Sequence, residues 1–331
     1  MTVIAVDAMG GDFAPRAIVE GAARASREPG MEILLVGDQD RIAAELRRWR
    51  HNPQQLRIHH TPDVVGMDDA PTAVLRERPK ASIRLVCELV KEGKAQAAVS
   101  AGNSGAFMVA AKHVLGTLPG IDRPAIATTL PLKRGATVLI DSGANVDCKP
   151  HYLVQFGTMG TMFARRVLAV QSPRVGLLNN GTEPGKGNEL ARAAFDLLQA
   201  APLGFVGNVE ARDLFRGKAD VIVCDGYVGN LVLKSAEAVG AQMRLLTKES
   251  LARSPLAWLG YLLVRGFAKE LAKRTDYHQV GGSPLLGLKE VAIVCHGSSS
   301  ARTILAGVRV ARQCVEQNVV RGIAEELTRA A

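Results

Sequence analysis

Side chains able to bind and polarise an oxyanion recur on glycine-rich stretches of this chain: Asn103, Ser104, Asn145, Asp147, Asn180, Lys186, Asn188, Asp225, Asn230, Lys234, His296 and Ser298. Any one of them suits a turn or a helix cap, because Asn, Asp and Ser hydrogen-bond readily to nearby backbone. Together they supply amide, hydroxyl and cationic donors, the components of a phosphate or oxyanion cradle that needs no metal. Rival chemistries lack their motifs. Gly185-Lys186-Gly187-Asn188-Glu189-Leu190 fails the dinucleotide fingerprint at its last position, and Gly181 to Lys186 is too short for a nucleotide-binding P-loop. No HExxH sequence is present, so zinc hydrolysis is not indicated and neither metal nor cofactor is expected. Cys224 and Cys295 lie near strand tips, where a thiol nucleophile competes with the plainer reading of buried packing residues.

Such donors work only if rigid elements hold them. Five short apolar runs end in a small polar or acidic residue and glycine. Val3 to Val6 leads into Asp7, Gly10 and Gly11, and Ala97 to Val99 into Gly102-Asn103-Ser104-Gly105. Val138 to Ile140 precedes Asp141-Ser142-Gly143-Ala144-Asn145, Val221 to Val223 precedes Asp225-Gly226, and Val291 to Val294 precedes His296-Gly297-Ser298. Short apolar runs bounded by glycine read as buried parallel strands, and ligands of open α/β sheets bind beyond strand carboxyl ends. These tips are expected to converge on one site. Amphipathic helices are expected over 15–26, 41–50, 82–91, 104–115, 152–167, 189–199 and 305–329. The fold expected is α/β: a doubly wound, mostly parallel sheet with helices on both faces, as a single catalytic domain over 1–331.

Composition narrows the partners. Lys and Arg number 41 against 32 Asp and Glu, a net charge of +9, which favours an acidic partner, a phosphate-bearing substrate or an anionic membrane. Aromatic residues are only 4%, too few to stack on bases, and the cations are scattered, so nucleic acid is not expected. Five cysteines without a CxxC pair fit reduced thiols of a cytoplasmic protein, and the opening residues carry no signal-peptide pattern.

One region departs from the alternation. A helical pattern after Asn230 leads into an apolar run from Pro255 to Val264, suggesting a helical hairpin over about 240–280. The run is too short to span a bilayer. It could lie on an anionic membrane through Leu256, Trp258, Leu259, Leu262, Leu263 and Phe267, with Arg265, Lys269, Lys273 and Arg274 towards headgroups. It could equally be a core or dimer-interface helix.

The segments Asp7 to Asp12, Ser100 to Ala106, Cys148-Lys149-Pro150 with Gln155-Phe156, Asp225 to Asn230, Gly281 to Gly287 and His296 to Ser299 resemble those of the phosphate acyltransferases of bacterial phospholipid synthesis. They occur in that family's order across nearly the whole chain. Departures are Ser104 for a common Thr, Ala81 before Ser82 where two serines are usual, Ser283 for a usual Ala and Ser300 for a common Asn. The resemblance implies transfer of a fatty acyl group from acyl carrier protein to inorganic phosphate. It also implies a fold related to phosphotransacetylases and isocitrate dehydrogenases, and a homodimer. Its acyl phosphate would feed a glycerol-3-phosphate acyltransferase, and the protein would be cytoplasmic and peripherally membrane-associated. On this reading Lys186, Asn230 and His296 are catalytic: Lys186 binds phosphate, Asn230 donates its amide and His296 protonates the leaving sulfur. Asp7, Gly10, Gly11, Asn103, Ser104, Asn145, Asn180, Asn188, Asp225 and Ser298 are the expected substrate-binding residues. A phosphotransacetylase-like enzyme acting on acyl-CoA and a non-catalytic membrane scaffold are the alternatives.

Overall fold

A computed structural model of the chain describes residues 1–253, 261, 264–266 and 281–330. Its strands are β1 (Thr2–Asp7), β2 (Met31–Gly37), β3 (Leu56–His60), β4 (Ala97–Ser100), β5 (Ala125–Pro131), β6 (Ala136–Ile140), β7 (Val175–Leu178), β8 (Phe205–Val209), β9 (Val221–Val223), β10 (Ser283–Leu286) and β11 (Val291–Val294). They form one sheet in the order β3-β2-β1-β4-β11-β10-β5-β6-β9-β7-β8. The helices are α1 (Arg16–Ala25), α2 (Gln39–Leu46), α3 (Ala73–Arg76), α4 (Ser82–Lys91), α5 (Ser104–Leu115), α6 (Pro150–Val167), α7 (Glu189–Ala200), α8 (Gly226–Arg253), α9 (Ala301–Glu316) and α10 (Val319–Ala330), with a 3-10 helix at Ala211–Phe215.

Both faces of the sheet are covered, so its strands need no polar side. In β1, Ile4 and Val6 pack in a cluster with Ile18 and Val19 of α1 and Ile304 of α9, while Ala5 joins Ile83 and Val86 of α4 on the other face. Phe107, Phe156 and Phe163 are fully buried, and each such side chain contributes about 1.5–3 kcal/mol. On β9, Ile222 meets Leu214 and Leu139, against which Val228, Val232 and Leu233 of α8 pack.

The sheet is two parallel halves joined by an antiparallel seam. β3, β2, β1, β4 and β11 pair in parallel, as do β6, β9, β7 and β8, whereas β10 is antiparallel to both β11 and β5, and β5 to β6. The halves therefore run in opposite directions. Registers show where their carboxyl ends fall: Val294, the end of β11, pairs with Ser283, and Leu285 pairs with Ile126. Extending that antiparallel register by two residues sets Ser283 opposite Thr128. The end of β6, Ile140, pairs with Ala127. Both sets of carboxyl ends thus meet at one level of the seam, which is how tips from opposed strands converge.

The last expected helix, 305–329, is two helices. Asn318 takes φ +51°, a left-handed conformation that Asn tolerates better than most residues, and the chain turns there between α9 and α10. The outer part of α8 exposes Val239, Met243 and Leu246. Leu256, Trp258, Leu259, Leu262, Leu263 and Phe267, and most of the expected hairpin, lie outside the described residues. No described helix is long and apolar enough to cross a membrane.

Candidate active site

Two buried carboxylates organise the tips. Asp7, at the end of β1, accepts hydrogen bonds from Ser82 Oγ and Ser100 Oγ at 2.7 Å each and from the Met9 amide at 3.2 Å. Burial raises its pKa, with those donors pulling the other way. Asp141, following β6, accepts from the amides of Ile126, Gly143, Ala144 and Asn145 and from Asn145 Nδ2, over 2.7–3.1 Å. Burial also raises its pKa against those bonds. Both carboxylates are buried: Asp7 and Asp141 are 1% and 0% exposed. Asp7, expected as a substrate contact, is thus buried among its donors at the end of β1.

Glycines let the loops stack on these anchors. A Cβ on Gly10 would sit 2.4 Å from the Asp7 carboxylate, and Gly11, at φ +110°, lies against the carbonyls of Ala101 and Gly297. The Asp12 amide then donates to Gly297 O at 2.9 Å, tying the first and last tips together. The start of α8 sits on the Asp141 loop in the same way, since a Cβ on Gly229 would be 1.9 Å from Asp141 O. That contact places Asn230 over Gly143, whose ideal Cβ position is 3.5 Å from Asn230 Cβ.

Several expected ligands are caps. Asn103 Oδ1 accepts from the Ala106 amide at the start of α5, and its Nδ2 donates to the carbonyls of Met67 and Asp69. Asn188 Oδ1 caps α7 through the Ala191 amide, and Asp225 Oδ1 caps α8 through Val228. Asn145 Nδ2 bridges Asp141 and Pro124 O. For Asn103 these bonds engage both side-chain atoms, and for Asn145 they engage the Nδ2 amide, so both residues help position the tips.

The remaining candidates fall into two cavities. A cleft of about 440 Å³ opens over the seam, lined among others by Ser104, Asn230, Lys234, His296, Thr128 and Ser142. Among the described residues the side chains of Asn230 and Lys234 have no hydrogen-bond or ion-pair partner. His296 Nδ1 accepts from the Ser298 amide at 3.2 Å and lies 2.8 Å from Ser298 Oγ. That network assigns the neutral ring's proton to Nε2, leaving an N–H donor. Ser298 thus orients the imidazole. Ser104, the first residue of α5, also lines the cleft, so the positive N-terminal end of that helix lies beside it.

A second cavity, of about 320 Å³, is lined by Asn180, Asn188 and Asp225 with Leu153, Leu177 and Val228. α8 divides the two, with Val228 and Val232 facing this cavity and Asn230, Leu233 and Lys234 facing the cleft. Lys186 lines neither. It is exposed on the 181–188 loop, its carbonyl held by Asn179 Nδ2 and its stem against Gly181. Lys234, one helical turn beyond Asn230, is among the donors that the sequence offers, though without an assigned role. Thr128 gave no signal of its own, whereas Ser142 lies in the strand-tip sequence Asp141-Ser142-Gly143 and Ser283 stands out only as a departure from the family pattern.

The cysteines offer no nucleophile. Cys295 lines the cleft, yet burial pushes its thiol up to about 12, and Cys224 is raised well above the ordinary thiol range for the same reason. Among the described residues no group of His, Cys, Asp and Glu could hold a metal ion.

A family model described as "Fatty acid synthesis protein" matches residues 2–321. Among curated proteins, the phosphate acyltransferase of Nitratidesulfovibrio vulgaris is 48% identical over 99% of this chain and 97% of its own length. That of Pelotomaculum thermopropionicum is 48% identical over 97% and 93%. Among solved structures, a phosphotransacetylase from Streptococcus pyogenes superposes with a TM-score of 0.62 at 18% identity, covering 94% of each chain.

Proposed function

The chain belongs to the phosphate acyltransferase family, and from that membership we propose that the cleft over the seam holds inorganic phosphate against the thioester of an acyl carrier protein. The enzyme is an acyltransferase that moves an acyl group to phosphate in phospholipid synthesis. The observation carrying the site assignment is the company kept by Asn230: an unpartnered carboxamide, the Lys234 ammonium, the Nε2–H of His296 and the N-terminus of α5 all line one cleft. An oxyanion needs such donors held rigid before it arrives.

The reaction follows from those parts. Phosphate is itself an oxygen nucleophile, so no Ser or Cys need be activated. One phosphate oxygen bonds to the thioester carbon, the carbonyl becomes an oxyanion, and the C–S bond then breaks. Lys234, Asn230 and the α5 N-terminus hold phosphate; donors of the same set stabilise the oxyanion; His296 Nε2–H hydrogen-bonds to the departing sulfur, which leaves as thiolate and takes its proton from solvent. Lys186 stands on the loop between the second cavity and α7, so in this assignment it acts outside the phosphate cradle. The net charge of +9 supports an anionic acyl donor.

The test is direct. Purified protein given acyl carrier protein thioester and phosphate should yield an acyl phosphate, trapped as its hydroxamate, and should use acyl-CoA far less efficiently. Equal efficiency with acyl-CoA would refute the carrier-protein assignment, and absence of acyl phosphate with either donor would refute the activity itself.

A further inference from the structure

Three hydroxyls on the cleft wall form a chain whose proton direction is set by its end. Ser142 Oγ lies 3.1 Å from the carbonyl of Ile126, Thr128 Oγ1 lies 2.7 Å from Ser142 Oγ, and Ser283 Oγ lies 2.9 Å from Thr128 Oγ1. A carbonyl only accepts, and each hydroxyl has one proton. Ser142 therefore spends its proton on Ile126 O, Thr128 spends its own on Ser142, and Ser283 spends its own on Thr128. All three residues line the cleft, yet none has a proton left for it. What they offer a ligand is lone pairs.

A lone pair facing a bare anionic oxygen is repelled, whereas one facing an O–H accepts a hydrogen bond. We infer that the Ser283–Thr128–Ser142 chain accepts the P–O–H of hydrogen phosphate, orienting its unprotonated oxygens towards the thioester and discriminating against sulfate. The inference rests on the cleft being the phosphate site. Near neutral pH hydrogen phosphate keeps one proton and sulfate has none, although the two are alike in shape. No bond to the hydroxyls is made or broken during the reaction. The P–O–H proton stays on the acyl phosphate, and the proton that reaches sulfur comes from solvent.

Two carboxylates, Asp12 and Glu237, also line the cleft and accept hydrogen bonds, so the test must leave them untouched. Phosphate KM and the inhibition constant of sulfate are measured at pH 7.5 for the wild type, Ser142→Ala, Thr128→Val and Thr128→Ser. In the wild type, sulfate should inhibit only at concentrations roughly 10- to 100-fold above the phosphate KM, the size of effect that one unmet buried polar contact produces. Ser142→Ala removes the acceptor at the end of the chain. Thr128 can then donate to Ser283, and the Ser283 proton turns into the cleft. Phosphate KM should rise, sulfate should bind more tightly, and selectivity should fall by about tenfold or more. Thr128→Val should lose selectivity as well, and Thr128→Ser should keep it.

Wild-type sulfate inhibition within about twofold of the phosphate KM would overturn the inference without any variant. Unchanged selectivity in folded Ser142→Ala and Thr128→Val proteins would overturn it too. Failure to form acyl phosphate at all would instead refute the activity on which it rests.

Discussion

Gly229→Ala should damage the cleft from beneath. The Cβ it adds would lie 1.9 Å from Asp141 O and 3.0 Å from Cys224 Sγ. An ordinary C···O contact is about 3.3 Å, so the start of α8 must lift by roughly 1.4 Å or the Asp141 loop must give way. The loop is poorly able to move, because Asp141 itself is held by backbone amides on both sides of its strand end. The helix therefore moves, and Asn230 and Lys234 move with it. Overpacking of this kind costs about 1–3 kcal/mol of stability, offset by about 1 kcal/mol from replacing glycine inside a helix. Misplacing reactive groups by about 1 Å costs on the order of 100-fold in rate. The expected result is a modest fall in urea midpoint with kcat/KM lower by about two orders of magnitude in the hydroxamate assay. Gly226→Ala grades the argument, since its Cβ would stop 2.7 Å from the Asn145 backbone and asks for a shift of only about 0.6 Å. Its loss should be smaller. Activity of Gly229→Ala within threefold of wild type at unchanged stability would show that α8 does not set the position of Asn230.

Lys234→Ala should raise the phosphate KM and lower kcat/KM by roughly 100-fold, with Lys186→Ala leaving the phosphate KM within a few fold; the reverse ranking by steady-state kinetics would move the phosphate charge to Lys186. The raised pKa of Asp141 makes its contribution to stability greatest below its unfolded value of 3.8 and diminishing as pH rises through the folded value. The difference in urea midpoint between wild type and Asp141→Asn should accordingly shrink from pH 4 to pH 7, and a difference that grows would contradict the shift. Cys295, with its thiol near 12, should resist iodoacetamide at pH 8 in the folded protein and carry no acyl adduct by mass spectrometry after incubation with donor alone. Leu259→Glu with Leu263→Glu should abolish sedimentation with anionic vesicles while leaving activity on soluble substrates largely intact; dissociation into inactive monomers would assign that segment to a dimer interface instead.

What could be read in advance follows from how local each signal is. The apolar runs at Val3 to Val6 and Val138 to Ile140 are strands because both faces of the sheet are covered, a property printed in three or four consecutive residues. Their glycine-rich tips were equally local, and the tips of β1, β4, β6, β9 and β11 all carry residues of the site or its scaffold. The ambiguity lay in the amides. Asn103, Asn188 and Asp225 each accept from an amide three residues ahead, and a cap of that kind has the same sequence appearance as a ligand on a helix N-terminus. Asp7 looked like a ligand because it stands beside glycines. Only burial, which depends on Ser82 and Ser100 arriving from elsewhere in the chain, shows that its oxygens are already occupied.

The seam was beyond sequence reasoning for a physical reason. β10 is four residues long and opens on Gly281-Gly282-Ser283-Pro284, which reads as a turn, and its pairing with β5 joins residues 155 apart in the chain. The antiparallel pairings of β10 with β11 and β5, and of β5 with β6, together make the two halves run opposite ways and bring their carboxyl ends to one level in the middle of the sheet. A uniformly parallel sheet would have put every tip along one edge, open to water on its outer side. Here β5 and β10 form a floor beneath the cleft, with tips rising from both directions and α8 crossing one wall. The cost of that arrangement is that strand-wall side chains face the ligand. In this chain the residues at that level, Thr128 and Ser283, are hydroxyls whose protons run towards Ser142 and Ile126 O, so on the proposed assignment of the cleft to phosphate the floor distinguishes an oxygen that carries a proton from one that does not.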